Sequence, residues 1–380
     1  MNGERIRVLV VDDSAFMRKL IPAILARDEA IHVAGTAMDG LFALEKMERL
    51  RPDVVTLDLD MPRMNGLETL RHLVEVHGVP VLVLSALTQR GARLTMQALE
   101  LGAVDFLPKP RGNGAAGLVD LADELIAKVK MAARVAPRPA ALPPPAEDVG
   151  PRPPARSRGL PAGSVAGPEA GAAGPGRPAT AERVLAIGIS TGGPQALSYV
   201  LPRLPREFPA GVLVVQHMPE GFTRMLADRL RTMSQVDVRE ASDGDLVLPG
   251  RVLVAPGNRH LTVARKPLGA VAQVTAGAGV KGHRPSADVL FASVAAVYGS
   301  RAAGLLMTGM GDDGADGLQQ IKAAGGTTLA QSEDTCVVAG MPGAAIGRGC
   351  VDRVIPLEDL PQALADLYGN GRGGPQDGTP

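Results

Sequence analysis

The chain has 380 residues, 45% of them hydrophobic but only 2% aromatic, so it exceeds one ordinary core and must fill its interiors with aliphatic side chains. Forty basic and forty acidic residues leave a formal net charge of zero, which argues against a global grip on nucleic acid or anionic lipid. Two cysteines, Cys336 and Cys350, make no disulfide or metal framework. No apolar run approaches the ~18 residues that span a bilayer, and a strand begins close to Met1, so neither membrane insertion nor a signal peptide is expected and the location is expected to be cytoplasmic.

From Ile6 the chain reads as a short buried strand ending in Asp12-Asp13-Ser14. A helical pattern follows, with Phe16, Leu20 and Ile24 on one face. Pro22 interrupts it, where it should remove a hydrogen bond and kink the helix. Ile31 to Ala37 reads as a strand, Leu41 to Arg49 as a helix, and Val54 to Leu57 as a strand ending on Asp58. Leu67 to Val76 is helical, and Val79 to Leu84 is a strand ending on Ser85. A helix around Arg90 to Leu101 leads to the strand Val104–Leu107, then Pro108-Lys109-Pro110, and a last helix from about Leu118 to Met131. This alternation predicts a parallel, doubly wound sheet. Chemistry in such sheets gathers beyond the carboxyl ends of the strands. Asp12, Asp13, Asp58, Ser85 and Lys109 fall at those ends. Three carboxylates need a neutralising partner, most naturally Mg²⁺. A carboxylate beside Mg²⁺ and an ammonium is a plausible phosphoryl acceptor.

These segments resemble the receiver domain of two-component response regulators, in Val-Asp12-Asp13-Ser-Ala-Phe-Met-Arg, Leu-Asp58-Leu-Asp-Met-Pro-Arg-Met-Asn-Gly66 and Lys109-Pro110. The resemblance implies phosphorylation on Asp58. It implies Mg²⁺ held by Asp12, Asp13, Asp58 and the backbone carbonyl of Asp60. Ser85 would hydrogen-bond the phosphoryl oxygens, Lys109 would pair with them, and Lys109–Pro110 would be cis. Phe106 falls where that family has a mobile switch aromatic; it also reads as a core aromatic.

Residues 134–181 lose all periodicity. Twelve of these 48 are proline and 12 alanine, with seven glycines, so they read as a flexible Pro/Ala/Gly-rich linker. Such a tether keeps two domains at high effective concentration without fixing their contact.

Alternation resumes at Val184. Four apolar residues lead into Gly188-Ile-Ser190-Thr-Gly192-Gly-Pro, a strand and tight turn with G-x-S-x-G spacing. The turn presents either a nucleophilic serine or a phosphate cradle. Gln195 to Leu201 reads as a helix, Gly211 to Gln216 as a strand ending on His217, and Gly221 to Met233 as a helix. Arg251 to Ala255 and Val271 to Thr275 read as strands, Asp288 to Tyr298 as a helix, and Gly304 to Thr308 as a strand opening into Gly309-Met310-Gly311-Asp312-Asp313-Gly314. Thr327 to Ala330 and Val351 to Val354 are weaker strands, and Leu357 to Leu367 closes the domain as a helix. A second parallel α/β sheet is expected. Ser190, His217 and the Asp312-Asp313 pair would then meet at one sheet edge, as nucleophile, base and acid. No histidine follows Asp313, so the order is Ser, His, Asp. His260 and His283 are rival bases to His217, which has the better position; both also read as loop histidines making hydrogen bonds.

The segments Ile-Gly-Ile-Ser190-Thr-Gly-Gly-Pro, Val-Gln-His217-Met-Pro, Ala-Pro-Gly-Asn-Arg-His, Gly-His-Arg-Pro-Ser-Ala-Asp and Met-Thr-Gly-Met310-Gly-Asp-Asp313-Gly resemble the chemotaxis response regulator protein-glutamate methylesterases. That resemblance implies Asp313 as triad acid, the Met310 N–H in the oxyanion hole and Thr191 supporting His217. Position 312, usually Asn in that family, is Asp here, and an extra carboxylate there is expected to raise the His217 pKa. It implies phosphorylation-activated hydrolysis of glutamate γ-methyl esters on chemoreceptors, releasing methanol, with deamidation of receptor glutamines, a chemotaxis histidine kinase as phosphodonor and no cofactor for the ester chemistry. Arg224, Arg259 and Arg284 are candidates to steer an acidic receptor helix. The expected architecture is α/β throughout. A flavodoxin-like receiver (1–133), the linker (134–181) and a Rossmann-like methylesterase domain (182–369) would be followed by a disordered tail (370–380).

Overall fold

The computed structural model describes residues 5–109, 115–135 and 180–369. Most of the predicted linker, the tail 370–380 and Pro110 of the predicted cis peptide lie outside the described residues.

The first sheet contains β1 (Ile6–Val11), β2 (Ile31–Ala37), β3 (Val54–Asp58), β4 (Val81–Ser85) and β5 (Asp105–Pro108), in the order β2-β1-β3-β4-β5 with every pairing parallel. Helices α1 (Met17–Leu25), α2 (Gly40–Leu50), α3 (Gly66–Glu75), α4 (Gln89–Glu100) and α5 (Ala115–Ala132) connect and follow the strands. Caps set where three of them begin. Asp39, Asn65 and Thr88 accept from the backbone N–H of Phe42, Glu68 and Gly91 at 3.0, 2.9 and 2.9 Å. The α1 helix runs through Pro22, and its buried stripe is Met17, Ile21, Ile24 and Leu25. Phe16 caps the helix and is 58% exposed, so the predicted apolar face is rotated.

The second sheet has seven parallel strands: β6 (Val184–Ile189), β7 (Gly211–Gln216), β8 (Asp237–Glu240), β9 (Arg251–Val254), β12 (Ala302–Leu306), β13 (Thr327–Gln331) and β14 (Arg353–Ile355). Their order is β14-β13-β12-β6-β7-β9-β8. The strands β10 (His260–Lys266) and β11 (Gly269–Thr275) leave this sheet as an antiparallel pair. The predicted strand at Val271 to Thr275 therefore exists but joins a hairpin, because Gly269 turns the chain straight back on β10. The helices are α6 (Gly193–Val200), α7 (Phe222–Met233), α8 (Ala287–Tyr298), α9 (Ala315–Ala323), α10 (Gly340–Gly347) and α11 (Leu360–Gly369). The chain builds outward from β6 through β7 to one side, then returns with β12 on the other. That reversal opens a crevice at the carboxyl ends of β6 and β12.

The two sheets share one continuous apolar cluster. Phe106 of β5 stacks on Phe222 of α7 with centroids 4.9 Å apart and planes at 9°. Gln195 donates to the carbonyls of Leu99 and Ala103 at 3.1 and 3.0 Å. Glu100 and Arg229 pair across the same seam. The carboxyl end of β5 thus lies against the crevice of the second sheet.

Candidate active site and phosphoacceptor site

At the first sheet's edge, Asp12, Asp13 and Asp58 bring carboxylate oxygens within 4.8 Å of one another. Lys109 Nζ lies 2.8 Å from both Asp12 Oδ2 and Asp58 Oδ2. Burial raises the Asp12 pKa, and the Lys109 ion pair only partly offsets it. Burial works against the Lys109 charge, but Asp58 and Asp12 outweigh it and raise its pKa. Three oxygen donors with one cation suit a further hard cation. Asp60 is exposed and its side chain pairs with Arg90 at 3.0 Å. Ser85 is turned into α4: its hydroxyl accepts from Thr95 Oγ1 at 2.6 Å and donates to Gly91 O at 3.2 Å. In this conformation the hydroxyl bonds neither Asp58 nor Lys109, although the Ser85 carbonyl accepts from Lys109 N at 2.7 Å.

In the second sheet, Ser190 follows β6. Its N–H donates to Thr308 O at 3.0 Å, and its carbonyl accepts from Gly193 N at 2.8 Å and Gln216 Nε2 at 2.9 Å. Gly192 makes this turn with φ 77°, and a Cβ there would lie 2.5 Å from Val337. Gly309 lets the loop after β12 approach, since a Cβ on it would sit 2.8 Å from Ser190 Cβ. Ser190, His217 and Met310 line one cavity of about 470 Å³.

His217 follows β7, and its Nε2 lies 2.8 Å from Asp313 Oδ2. Asp313 is 1% exposed. It also accepts from Ser286 Oγ at 2.7 Å, Ala287 N at 2.7 Å and Asp288 N at 3.3 Å, the first turn of α8. Burial opposes its charge, but the His217 contact, Ser286 and the α8 N–H groups hold its carboxyl well below the usual carboxylate range. An ionised Asp313 keeps the neutral imidazole's proton on Nε2. Nδ1, with no hydrogen-bond partner among the described residues, is then the free acceptor.

Two family models match: "CheB methylesterase" over residues 185–364 and "Response regulator receiver domain" over residues 8–116. A protein-glutamate methylesterase/protein-glutamine glutaminase 2 of Koribacter versatilis is 50% identical over 96% of this chain and 96% of its own length. A protein-glutamate methylesterase/protein-glutamine glutaminase of Pyrococcus abyssi is 44% identical over 98% of this chain and 96% of its own. The chain belongs to the CheB methylesterase family. The crystal structure of the Thermotoga maritima CheB methylesterase catalytic domain is 40% identical, covering 49% of this chain and 98% of that one, with TM-score 0.48.

Three expectations change in this CheB-family chain. Thr191 does not support His217: its hydroxyl donates to Asp105 Oδ2 of the first sheet at 2.8 Å, because a buried carboxylate faces it across the seam. Asp312 is neutralised by two cations, Lys281 Nζ at 3.3 Å and Arg348 Nη2 at 2.9 Å, instead of acting alone beside the triad. Arg224 and Arg259 are exposed away from the cavity lining; Arg284 lines it and donates to Asn258 Oδ1 and Gly277 O. His260 is buried and bonds Ala278 O at 2.8 Å, a structural role.

Sequence reasoning missed Ser286, whose segment reads as loop; its position as cap of a long apolar helix was the available signal. It expects the unphosphorylated receiver to cover the Ser190 cleft but does not name the receiver residues that line it. Leu87, Phe106 and Lys128 line the same space as Ser190 and His217. Lys128 Nζ pairs with Asp105 at 2.9 Å and Glu124 at 3.3 Å and donates to Phe106 O at 2.8 Å. Burial opposes the Lys128 charge, but Asp105 and Glu124 outweigh it and raise its pKa.

Proposed function

We propose that this chain is a phosphorylation-activated hydrolase that removes γ-methyl esters from receptor glutamates and deamidates receptor glutamines, with Ser190, His217 and Asp313 as its triad. The observation that carries this reading is Asp313, buried and joined to His217 Nε2 at 2.8 Å, with His217 and Ser190 lining the same cavity. Ser190 Oγ attacks the ester carbonyl and passes its proton to His217. Asp313 stabilises the resulting imidazolium. The Met310 N–H faces the developing oxyanion. His217 returns the proton to the departing methoxide, which leaves as methanol. Water then adds to the acyl-enzyme by the same base and frees the glutamate. With a glutamine side chain the leaving group is ammonia.

Control belongs to the receiver half. Asp58 accepts the phosphoryl group from a chemotaxis histidine kinase, and Lys109 pairs with it. Asp12, Asp13, Asp58 and the Asp60 carbonyl would hold Mg²⁺, which when bound offsets phosphoryl charge. Ser85 turns from α4 toward the phosphoryl oxygens, and Phe106 follows as the switch aromatic. The substrate is a macromolecular chemoreceptor, and the roof formed by Leu87, Phe106 and Lys128 keeps it from Ser190 until that switch. The reaction takes place in the cytoplasm without nucleic acid; among the described residues no helix is long and apolar enough to cross a membrane.

In Ser190→Ala, methanol release from methylated receptor should fall on the order of 10⁴-fold, while Asp58 phosphorylation persists. Near-normal release by that variant removes the triad.

A further inference from the structure

The loop between β11 and α8 contains a tight turn from Val280 to His283. Val280 N donates to His283 O at 3.0 Å, and His283 N donates to Val280 O at 2.8 Å. Both central residues are left-handed, Lys281 at φ 50° and Gly282 at φ 80°. That is the two-residue turn that normally selects Asn or Gly, so a lysine there needs compensation. The compensation is ionic. Lys281 Nζ lies 2.7 Å from Asp316, 2.9 Å from Asp288 and 3.3 Å from Asp312. Asp288 and Asp316 lie in the first turns of α8 and α9, and Asp312 immediately precedes Asp313. Arg348 closes the cluster from the other side through Asp312 and Asp316.

The brace has one visible product. The His283 ring lies flat on His217, centroids 3.9 Å apart and planes at 7°. Burial, then the proximity of the His217 ring, pushes the His283 pKa down to about 4, so the ring is neutral at neutral pH. Asp313, Asp312 and Lys128 are the other charges acting on it.

We infer that His283 is a positioning residue: its ring, pressed into place by the Lys281 turn, fixes the plane of the His217 imidazole. The inference rests on the Ser190–His217–Asp313 reading. A single hydrogen bond from Nε2 to Asp313 fixes one atom of the ring and leaves rotation about that contact. A parallel neighbour removes the rotation, keeping the ring in the one plane in which Nε2 holds Asp313. A flat neutral face also tolerates the imidazolium that forms when Ser190 gives up its proton. His283 transfers no proton in this arrangement.

The test uses the full chain and methylated receptor, with Ser190→Ala as the reference for lost triad chemistry. His283→Ala should lower kcat roughly 10- to 100-fold, because a small misplacement of the base is costly. KM should stay within about twofold. His283→Phe keeps a flat ring without titratable nitrogens and should recover kcat to within a few-fold. Lys281→Met should lower kcat in the same sense as His283→Ala, also without raising KM. Ring ¹⁵N shifts of His217 should report a single Nε2–H tautomer in the parent and in His283→Phe, and an average in His283→Ala. Parent-like kcat in His283→Ala overturns the inference. So does a folded His283→Phe as slow as His283→Ala, which would make the ring nitrogens essential. An active Ser190→Ala overturns the triad itself; an inactive one beside a fully active His283→Ala overturns only the stacking role.

Discussion

Asp313 is the most constrained charge in the catalytic half. Four donors converge on it, and one of them, Ser286, also accepts from Val289 N at 3.4 Å as the cap of α8. Ser286→Ala should therefore cost about 1.5–3 kcal/mol in urea denaturation, the range for a hydrogen bond to a charged group. It should also slow ester hydrolysis, since Asp313 loses a restraint. The two perturbed groups at this site act in the same direction with pH. Asp313 titrates below the ordinary carboxylate range when folded, so its contribution is present at neutral pH and lost as pH falls through that depressed value. His283 binds its proton near pH 4 when folded and near 6.5 when unfolded. Between those values the unfolded chain holds more protons, so stability rises with pH across the window. His283→Phe should flatten that rise, which melting temperatures at pH 5 and pH 7 would register; an unchanged pH dependence contradicts the assignment.

The elements that carry the site differ in how plainly the sequence announces them. The buried aliphatic runs at Val184, Gly211 and Gly304 each end on a polar residue, so the meeting of Ser190, His217 and the Asp312-Asp313 loop at one sheet edge was legible. The receiver carboxylates were legible for the same reason. Less visible were α9 and α10, whose segments are rich in small residues and lack a strong apolar stripe. The edge strand β8, Asp-Val-Arg-Glu, has one buried residue and no apolar run to betray it. Contacts made between distant segments left no local trace: nothing near Thr191 in sequence points to Asp105, and nothing near His217 points to His283. The turn at Gly192 is a case where the local signal is strong. Gly192→Ala meets both a left-handed backbone and Val337, so it should destabilise by more than about 1 kcal/mol. Equilibrium denaturation showing no loss would mean that this turn relaxes freely.

At the scale of the whole molecule, the seam between the halves combines an aromatic stack, amide-to-carbonyl bonds and a partly exposed ion pair. The ion pair offers a clean probe because it lies away from the chemistry. Arg229→Glu sets two carboxylates against each other at Glu100. The unphosphorylated chain should then hydrolyse ester about two- to fivefold faster, in line with the modest energy of exposed charge pairs. The double reversal Glu100→Arg with Arg229→Glu should restore the slower rate. Equal rates in all three proteins would rule out occlusion by this face.

The hydrogen bond from Thr191 to Asp105 joins the residue after Ser190 to the strand that carries Phe106. Coupling of this kind runs both ways: if phosphorylation of Asp58 favours the parted halves, then anything that occupies the crevice and parts them must favour phosphorylation by the same factor. A receptor helix seated on Ser190 would act as a cofactor for the receiver, prolonging the phosphorylated state for as long as there is ester to remove. The enzyme's supply of work would thereby help to set the duration of its own signal.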